Sequence, residues 1–221
     1  MEKRVAFVTI GQSPRPDMVP EILAETRTPI AASERGVLDG MDLPAVRALA
    51  PRGAEECLVS RMRDGTEVFL AKPAVETRLR DVFAELDGQG FDLIVLLCTG
   101  HFGRFRMATP FIEAQHAVDH FVQGVTYGID RLGVLLPHRK QIEDFHGIPG
   151  AEPEFGYASP YSAESAAQLA EAGAALAGTG AIVMHCMGYS EAMRQAVMAH
   201  ARRPVLLSRR MVAHAIDLML S

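Results

Sequence analysis

The sequence has few of the features that mark specialised protein classes. Its 221 residues contain no low-complexity segment and no apolar run close to the length of a membrane-spanning helix. Lysine and arginine do not cluster with aromatic residues, and the formal net charge is -5, so we expect no nucleic acid and no membrane as partners. The N-terminus has no secretory pattern. We therefore expect a cytoplasmic protein.

Cysteine is scarce, with three residues, Cys57, Cys98 and Cys186. An odd number without an export signal argues against a disulfide framework and for free thiols. Metal ligands at useful spacing are scarce as well. The segment His116-Ala-Val-Asp119-His120 puts two histidines on one helix face, but it lacks an identifiable third ligand. We predict a solvated helix face there and no metal site.

Apolar residues are abundant, at 48% of the chain, which is enough for a substantial core. The central feature is the segment 91–100, FDLIVLLCTG, in which branched apolar residues follow a polar, glycine-containing turn. Such a run is typical of a strand buried on both faces of a parallel sheet. Ligands of open α/β sheets bind outside the carboxyl ends of strands, where Cys98, Thr99 and Gly100 are expected.

A second copy of this arrangement occurs at residues 181–189, AIVMHCMGY. A strand-like run is again followed by a cysteine, Cys186, and by a glycine two residues later, Gly188. The order of strand, loop, helix and strand-Cys-x-Gly thus occurs twice. It predicts an α/β fold of two pseudo-equivalent lobes with mainly parallel sheets, which face each other across a cleft and contribute one thiol each.

We assign residues 1–111 and 206–221 to the N-terminal lobe and residues 112–205 to the second lobe. The first lobe carries a predicted β-hairpin insertion, because Asp64-Gly65 separates two alternating runs. Residues 31–53 have a mixed pattern without a predicted strand. Residues 146–160 are expected to be a loop with at most one short strand. Apolar periodicity predicts further helices at 17–25, 43–49, 73–86, 112–122, 162–176, 190–201 and 211–220.

The two repeated cysteines suit acid–base chemistry. A thiol at a strand end before a helix can lose and regain a proton, because a helix N-terminus or a cation lowers its pKa. Two thiols on opposite sides of one carbon could remove a proton from one face and deliver one to the other, as in a cofactor-independent racemase or epimerase. The structural alternative is that a free cysteine is a small buried apolar residue. We assign that role to Cys57.

Several neighbouring residues are candidates for binding a small carboxylate. Thr99 offers a hydroxyl group, and Gly100 and Gly188 allow close approach of the backbone. His101 could reach the cleft. Strand alternation directs His185 away from Cys186, towards packing or a structural hydrogen bond.

The turn after the first strand is a second group of candidates. Gly11, Gln12 and Ser13 lie at a strand-to-helix junction of the kind that binds anions. Arg15 could bind a carboxylate in bidentate fashion, or be a solvated loop arginine. Ser208 follows the last strand and either joins the site or caps the final helix.

Three segments of the sequence resemble the AroM family: TIGQSPRPD at 9–17, LLCTG at 96–100, and HCMGY at 185–189 followed by PVLLS at 204–208. The resemblance covers nearly the whole chain. Through that family the chain resembles the aspartate/glutamate racemase superfamily, which includes hydantoin racemases, maleate isomerases and arylmalonate decarboxylases. The resemblance implies two similar α/β lobes, cysteine chemistry without a metal or organic cofactor, and often a homodimer.

In that superfamily a small hydroxyl-bearing residue follows each cysteine, which Cys98-Thr99 matches and Cys186-Met187 does not. The Gly188 N–H and the Tyr189 hydroxyl are then the candidates for carboxylate binding on the second lobe. We predict a racemase or isomerase of a small carboxylate, such as an amino acid or dicarboxylic acid derivative, with Cys98 and Cys186 as the facing pair. Two alternatives stay open. One is a single-cysteine nucleophilic isomerase or decarboxylase, and the other is a non-catalytic protein that binds a metabolite.

Overall fold

The structure of the protein is a computed structural model that describes residues 2–148 and 150–221. Its strands, in chain order, are β1 (Lys3–Thr9), β2 (Ile30–Gly36), β3 (Cys57–Arg61), β4 (Glu67–Ala71), β5 (Leu93–Leu96), β6 (Phe111–Glu113), β7 (Arg131–Leu136), β8 (Glu152–Tyr157), β9 (Ala181–Met184) and β10 (Val205–Leu207). Its α-helices are α1 (Val19–Glu25), α2 (Leu43–Arg47), α3 (Lys72–Leu86), α4 (Ala114–Val125), α5 (Ser165–Ala175), α6 (Glu191–Ala201) and α7 (Ser208–Leu220).

Two parallel sheets of four strands each form the two lobes. Their strand orders are β2-β1-β5-β6 and β10-β9-β7-β8, so β1 corresponds to β7 and β5 to β9. All pairings within these two sheets are parallel. The predicted α/β fold with two equivalent lobes is confirmed. The correspondence also extends to α4 and α7, which each follow the last strand of a sheet in chain order.

The inner faces of both sheets share one apolar core. Helices α1, α4 and α7 lie between the sheets and complete this core, with α7 in contact with both other helices. Alternation along the strands decides which residues point inward, and the inward set includes Val5, Phe7, Leu93, Val95, Leu132, Val134 and Val183. The opposite face of the first sheet packs on α2, α3 and the hairpin, and that of the second sheet packs on α5 and α6.

The predicted hairpin is present, with β3 and β4 paired antiparallel. Its turn contains Gly65 at φ +96°, a conformation that favours glycine. The hairpin lies on the turn after β1: a side chain at Gly11 would come within 2.6 Å of the Arg61 carbonyl oxygen. One end of the inserted hairpin is thereby held close to the carboxyl end of the first sheet.

Two strands differ from the sequence prediction. β2 was not predicted because it is an edge strand whose residues are mostly polar or partly exposed. The strand β6 takes up residues 112 and 113 of the helix predicted at 112–122, and that helix begins at Ala114. The division of the chain into lobes at residues 111 and 206 stays a prediction. β6 continues to Glu113 in the first sheet, and β10 belongs to the second sheet.

Across the described ranges, every helix is too short or too polar to cross a lipid bilayer.

Candidate active site

The carboxyl ends of the four central strands meet at one cavity of about 70 Å³. Residues at and just after the ends of these strands line it, including Thr9 and Ile10, Leu97 and Cys98, Leu136 and Pro137, and His185 and Cys186. In both sheets the strand order reverses between the central strands, and open α/β sheets bind their ligands at such a switch point. The cavity is therefore a candidate active site for a small molecule.

Cys98 and Cys186 occupy equivalent positions in the two lobes and both line the cavity. The backbone N–H of Gly100 donates to the Cys98 sulfur at 3.4 Å, and that of Gly188 donates to the Cys186 sulfur at 3.3 Å. Both glycines line the cavity as well. The repeated Cys-x-Gly spacing thus produces the same hydrogen bond twice.

The two strand ends that carry the thiols are also joined directly. The Thr99 hydroxyl donates to the carbonyl oxygen of His185 at 3.1 Å. Thr99 lines the cavity, so the hydroxyl group predicted from Cys98-Thr99 lies at the site. Because it already donates to the other lobe, its oxygen is left mainly as an acceptor.

The surroundings of Cys98 keep it protonated at neutral pH. Burial raises the pKa of Cys98 to about 12, because a thiolate loses its hydration there. The neighbouring Cys186 and Glu113 also raise this pKa, and the Gly100 N–H opposes the increase. Cys98 is therefore a thiol in this structure, and it needs a base before it can react as a thiolate.

The surroundings of Cys186 are more favourable to an anion. Burial raises its pKa too, and the Gly188 N–H and the charges of Arg15 and Arg209 oppose that increase. Both cations are almost fully buried, with 2% of their surface exposed, so water screens them little. The two thiols are thus equivalent in the fold and different in their electrostatics.

Arg15 is buried, so the alternative of a solvated loop arginine is wrong. Its Nε and Nη2 atoms donate to the two carboxylate oxygens of Asp17 at 2.9 and 2.8 Å. It also donates to the Thr9 hydroxyl at 2.9 Å and to the Tyr161 hydroxyl at 2.9 Å. Asp17 thus occupies the bidentate edge that the sequence analysis assigned to a substrate carboxylate. Arg15 lines the cavity with that edge already used.

Tyr161 lines the cavity and was not predicted. Its ring lies 5.6 Å from the Arg15 guanidinium carbon, and burial raises the pKa of its hydroxyl to about 12. It follows β8, the counterpart of β2 at the edge of the other sheet. An aromatic residue shortly after an edge strand could have indicated this position. Because residues 146–160 were predicted to be mainly a loop, no strand end was expected before Tyr161.

Arg209 is a second residue that the sequence analysis missed. Its Nε donates to the carbonyl oxygen of Met187 at 2.7 Å, and its Nη2 donates to that of Gly188 at 2.8 Å. The Nη1 atom donates to Glu21 Oε2 at 2.8 Å and to the Asp17 carbonyl oxygen at 2.7 Å. Arg209 therefore holds the turn that carries Cys186.

Gly11, Gln12 and Ser13, the other predicted binding residues after β1, do not line the cavity, and the polar groups of Gln12 and Ser13 stabilise loops. Gln12 donates to the carbonyl oxygens of Leu38 and Met41 and accepts from the Arg63 backbone. The Ser13 hydroxyl donates to Asp39 at 2.6 Å. The expected anion site at Gly11, Gln12 and Ser13 is therefore corrected to a loop-bracing network.

The structure also corrects two predicted binding residues of the second lobe. The Tyr189 hydroxyl donates to the carbonyl oxygen of Ala158 at 2.7 Å, and that of Ser208 donates to the carbonyl oxygen of Met184 at 2.8 Å. Both residues are 0% exposed. Their hydroxyl groups are committed to the backbone and do not reach a ligand in the cavity.

A buried carboxylate lies beside the cavity where a solvated helix face was expected. Asp119 on α4 is buried, whereas His116 and His120 on either side are exposed. Asp119 Oδ1 lies 2.7 Å from His185 Nε2, and its Oδ2 accepts from Gln115 and lies 3.6 Å from His101 Nε2. Burial acts to raise the pKa of Asp119, but the hydrogen bond and charge of His185 hold it below its usual value.

The structural hydrogen bond predicted for His185 is therefore present, but its side chain lines the cavity together with His101. Strand alternation does not apply to His185, because β9 ends at Met184. Cys57 at the start of β3 also lines the cavity, so all three free thiols of the chain lie on its wall. In the part of the chain that the structure describes, no group of three or more His, Cys, Asp or Glu side chains has the arrangement of a metal site.

Solved structures with this fold include enzymes that act on small acids. The maleate isomerase Iso from Pseudomonas putida S16 matches with a TM-score of 0.60 and 17% identity, over 100% of this chain and 93% of that one. Aspartate racemase from Picrophilus torridus matches with a TM-score of 0.60 and 12% identity, over 97% and 92%. Arylmalonate decarboxylase matches with a TM-score of 0.56 and 15% identity, over 98% and 92%. These similarities show that the chain shares the fold of these enzymes.

No protein of curated function matches the sequence. The AroM protein family matches residues 5–220, which is almost the entire chain. The resemblance stated from the three sequence segments is confirmed. The chain therefore belongs to the AroM family.

Proposed function

We propose that the protein is a cofactor-independent racemase or isomerase of a small carboxylate, such as an amino acid or dicarboxylic acid derivative, and that Cys98 and Cys186 are its acid–base pair. One observation carries the proposal. The two thiols sit at equivalent strand ends of opposite lobes, each with the same glycine N–H hydrogen bond, and line one small cavity.

In the proposed reaction one thiolate removes the proton on the carbon next to the carboxylate. The C–H bond breaks, an S–H bond forms, and the electron pair passes to the substrate as an enolate. The opposite thiol then donates its proton to the other face of that carbon and becomes the thiolate. Protons and charge balance, and the roles of the two sulfurs are exchanged after one turnover.

The first thiolate of this cycle is assigned to Cys186. Arg15 and Arg209 both favour its ionised form, whereas Cys186 and Glu113 disfavour that of Cys98. The carboxylate of the substrate would accept from Arg15, whose Nη1 carries a second N–H beyond the one donated to Thr9. The volume of about 70 Å³ favours a compact acid over an extended one.

The test is deuterium exchange in heavy water with both enantiomers of a panel of small chiral acids. We expect incorporation at the carbon next to the carboxylate, followed by NMR, in the wild-type protein. Cys98→Ser and Cys186→Ser should each reduce interconversion of the enantiomers by at least about 100-fold, since a positioned acid or base contributes that much. Ala199→Ser, on the exposed side of α6, is the matched control and should retain the wild-type rate.

A second function is supported by the electrostatic difference between the thiols. Because cations act on Cys186 and not on Cys98, Cys186 could add to the substrate as a nucleophile in a cis–trans isomerisation or decarboxylation. In that case a covalent adduct on Cys186 is visible by mass spectrometry, and the enantiomers of the chiral test acids are neither interconverted nor deuterated. Binding of the acids without exchange, isomerisation or adduct would contradict both reactions and leave a metabolite-binding protein.

A further inference from the structure

The starting point is the proton that a thiol must lose before any of this chemistry. Cys98 and Cys186 both have a raised pKa, so the thiolate is not the resting form of either group. Acid–base and nucleophilic mechanisms alike require a thiolate. The site must therefore contain a base that accepts this first proton.

Two imidazoles line the cavity, those of His101 and His185. His185 is 4% exposed and is held at Nε2 by Asp119 at 2.7 Å. Because Asp119 is a carboxylate at neutral pH, it can only accept in this hydrogen bond, and the proton lies on His185 Nε2. In neutral imidazole the other nitrogen, Nδ1, then has its lone pair available. None of the residues in the described ranges hydrogen-bonds to that nitrogen.

The Asp119 carboxylate is itself fixed in place. It is buried on α4, and its second oxygen accepts from the Gln115 amide at 2.5 Å. The Phe145 ring packs edge-on against the His185 ring, with 5.4 Å between their centroids. Together these contacts fix the imidazole orientation. They also leave the negative charge of the carboxylate beside the ring.

His101 is held less firmly. Its Nε2 lies 3.6 Å from Asp119 Oδ2, beyond hydrogen-bond distance, and its ring packs on His146. Burial lowers the pKa of His101, and the Asp119 charge only partly opposes this. The titratable and charged groups near His185 are Asp119 from α4, His101 from the coil after β5, and the thiols, and the cavity that His185 lines also carries Arg15, Glu56, Asp144 and Tyr161.

We propose that His185, oriented by the Asp119 carboxylate, is the general base that takes the proton from a cavity thiol. In this step the S–H bond breaks and the Nδ1–H bond forms, which produces a thiolate and an imidazolium. Asp119 stays ionised and acts as the positioning residue. The proposal deepens the function above, on which it rests for the assumption that the thiols react.

The test measures thiol reactivity and needs no substrate, so a failure to find the substrate does not affect it. Iodoacetamide alkylation of Cys98 and Cys186 is followed separately by peptide mass spectrometry as a function of pH. In the wild-type protein we expect at least one of the two rates to show an inflection between pH 5 and 8, the interval in which imidazoles ordinarily titrate. That rate should fall by about 100-fold at neutral pH in His185→Gln and Asp119→Asn, and the inflection should disappear in His185→Gln.

Two further variants distinguish this role from a structural one. His120→Gln removes an exposed imidazole one residue from Asp119 and should leave the pH profile unchanged. His101→Gln should retain the inflection. The proposal is overturned if the wild-type protein shows no inflection, if the profiles of His185→Gln and wild type coincide for both thiols, or if the inflection disappears in His101→Gln instead. The wild-type profile decides even if a variant does not fold.

Discussion

Replacement of the two equivalent glycines by alanine should have very different effects on stability. Neither Gly100 nor Gly188 has a positive φ, so backbone strain does not contribute. A methyl group at Gly188 would come within 2.5 Å of the Tyr161 hydroxyl oxygen and 2.7 Å of Pro160 Cγ. At Gly100 its nearest contact would be Leu58 Cδ2 at 2.9 Å, the end of a flexible side chain.

The magnitude follows from these neighbours. Leu58 can change rotamer, so Gly100→Ala should cost less than about 1 kcal/mol of unfolding free energy. Gly188→Ala has to displace a buried proline ring and a partly buried tyrosine. Overpacking of this kind costs about 1–3 kcal/mol, and displacing Tyr161 also weakens its hydrogen bond from Arg15. We expect a total of about 2–4 kcal/mol for Gly188→Ala.

Urea unfolding followed by circular dichroism measures both costs, as shifts of the midpoint at constant slope. Tyr161→Phe provides a further check, because it removes the atom nearest to the new methyl group. The double variant Gly188→Ala/Tyr161→Phe should lose less unfolding free energy than the sum of the losses in the two single variants. Equal costs at Gly100 and Gly188, or full additivity in the double variant, would refute this packing argument.

Three other predictions concern buried charges. Arg209→Met should destabilise the protein by about 3–5 kcal/mol in thermal unfolding, because it leaves the buried carbonyl groups of Met187 and Gly188 without a donor. Arg209→Lys should recover only part of this loss. Burial raises the pKa of Glu113 from 4.5 to about 7. Between these two pH values the folded state therefore binds more protons than the unfolded state. The unfolding free energy, measured by chemical unfolding, should fall by as much as about 3 kcal/mol as pH rises through this interval. Glu113→Gln should not show this fall. Folding lowers the pKa of Asp119. The ionised carboxylate therefore adds to the unfolding free energy above a pH of about 4, and this stabilisation is lost as pH falls through the pKa of the folded state. In acid unfolding, Asp119→Asn should not show this loss.

Most of the parallel architecture could be predicted from local sequence patterns. Continuous apolar runs identify strands that are buried on both faces, and the segment with Asp64-Gly65 identifies the hairpin. The cysteine pair could also be predicted, because Cys-x-Gly follows two such runs. The edge strand β2 lacks this signal, because its exposed positions carry polar residues that also suit a loop.

The residues that surround the thiols could not be predicted, since tertiary contacts determine their roles. Asp119 and His185 are 66 residues apart in the chain, and Arg209 and Asp17 are 192 apart. The spacing of His116 and His120 on α4 predicted a solvated helix face, and it gave no sign that Asp119 between them is buried. Tyr189 and Ser208 looked available because a hydroxyl near a strand end has no sequence signature that shows whether the backbone already uses it.

The shared interior of the two sheets has a consequence for how the protein works. Helices α1, α4 and α7 share one hydrophobic core with strands of both lobes. The two lobes therefore cannot separate without exposing apolar surface to water. Rotation of one lobe against the other would therefore cost free energy, and the shared core holds the strand ends that carry the two sulfurs relative to each other. Substitutions that alter the packing of these helices, far from the cavity, should therefore change the distance between the two sulfur atoms.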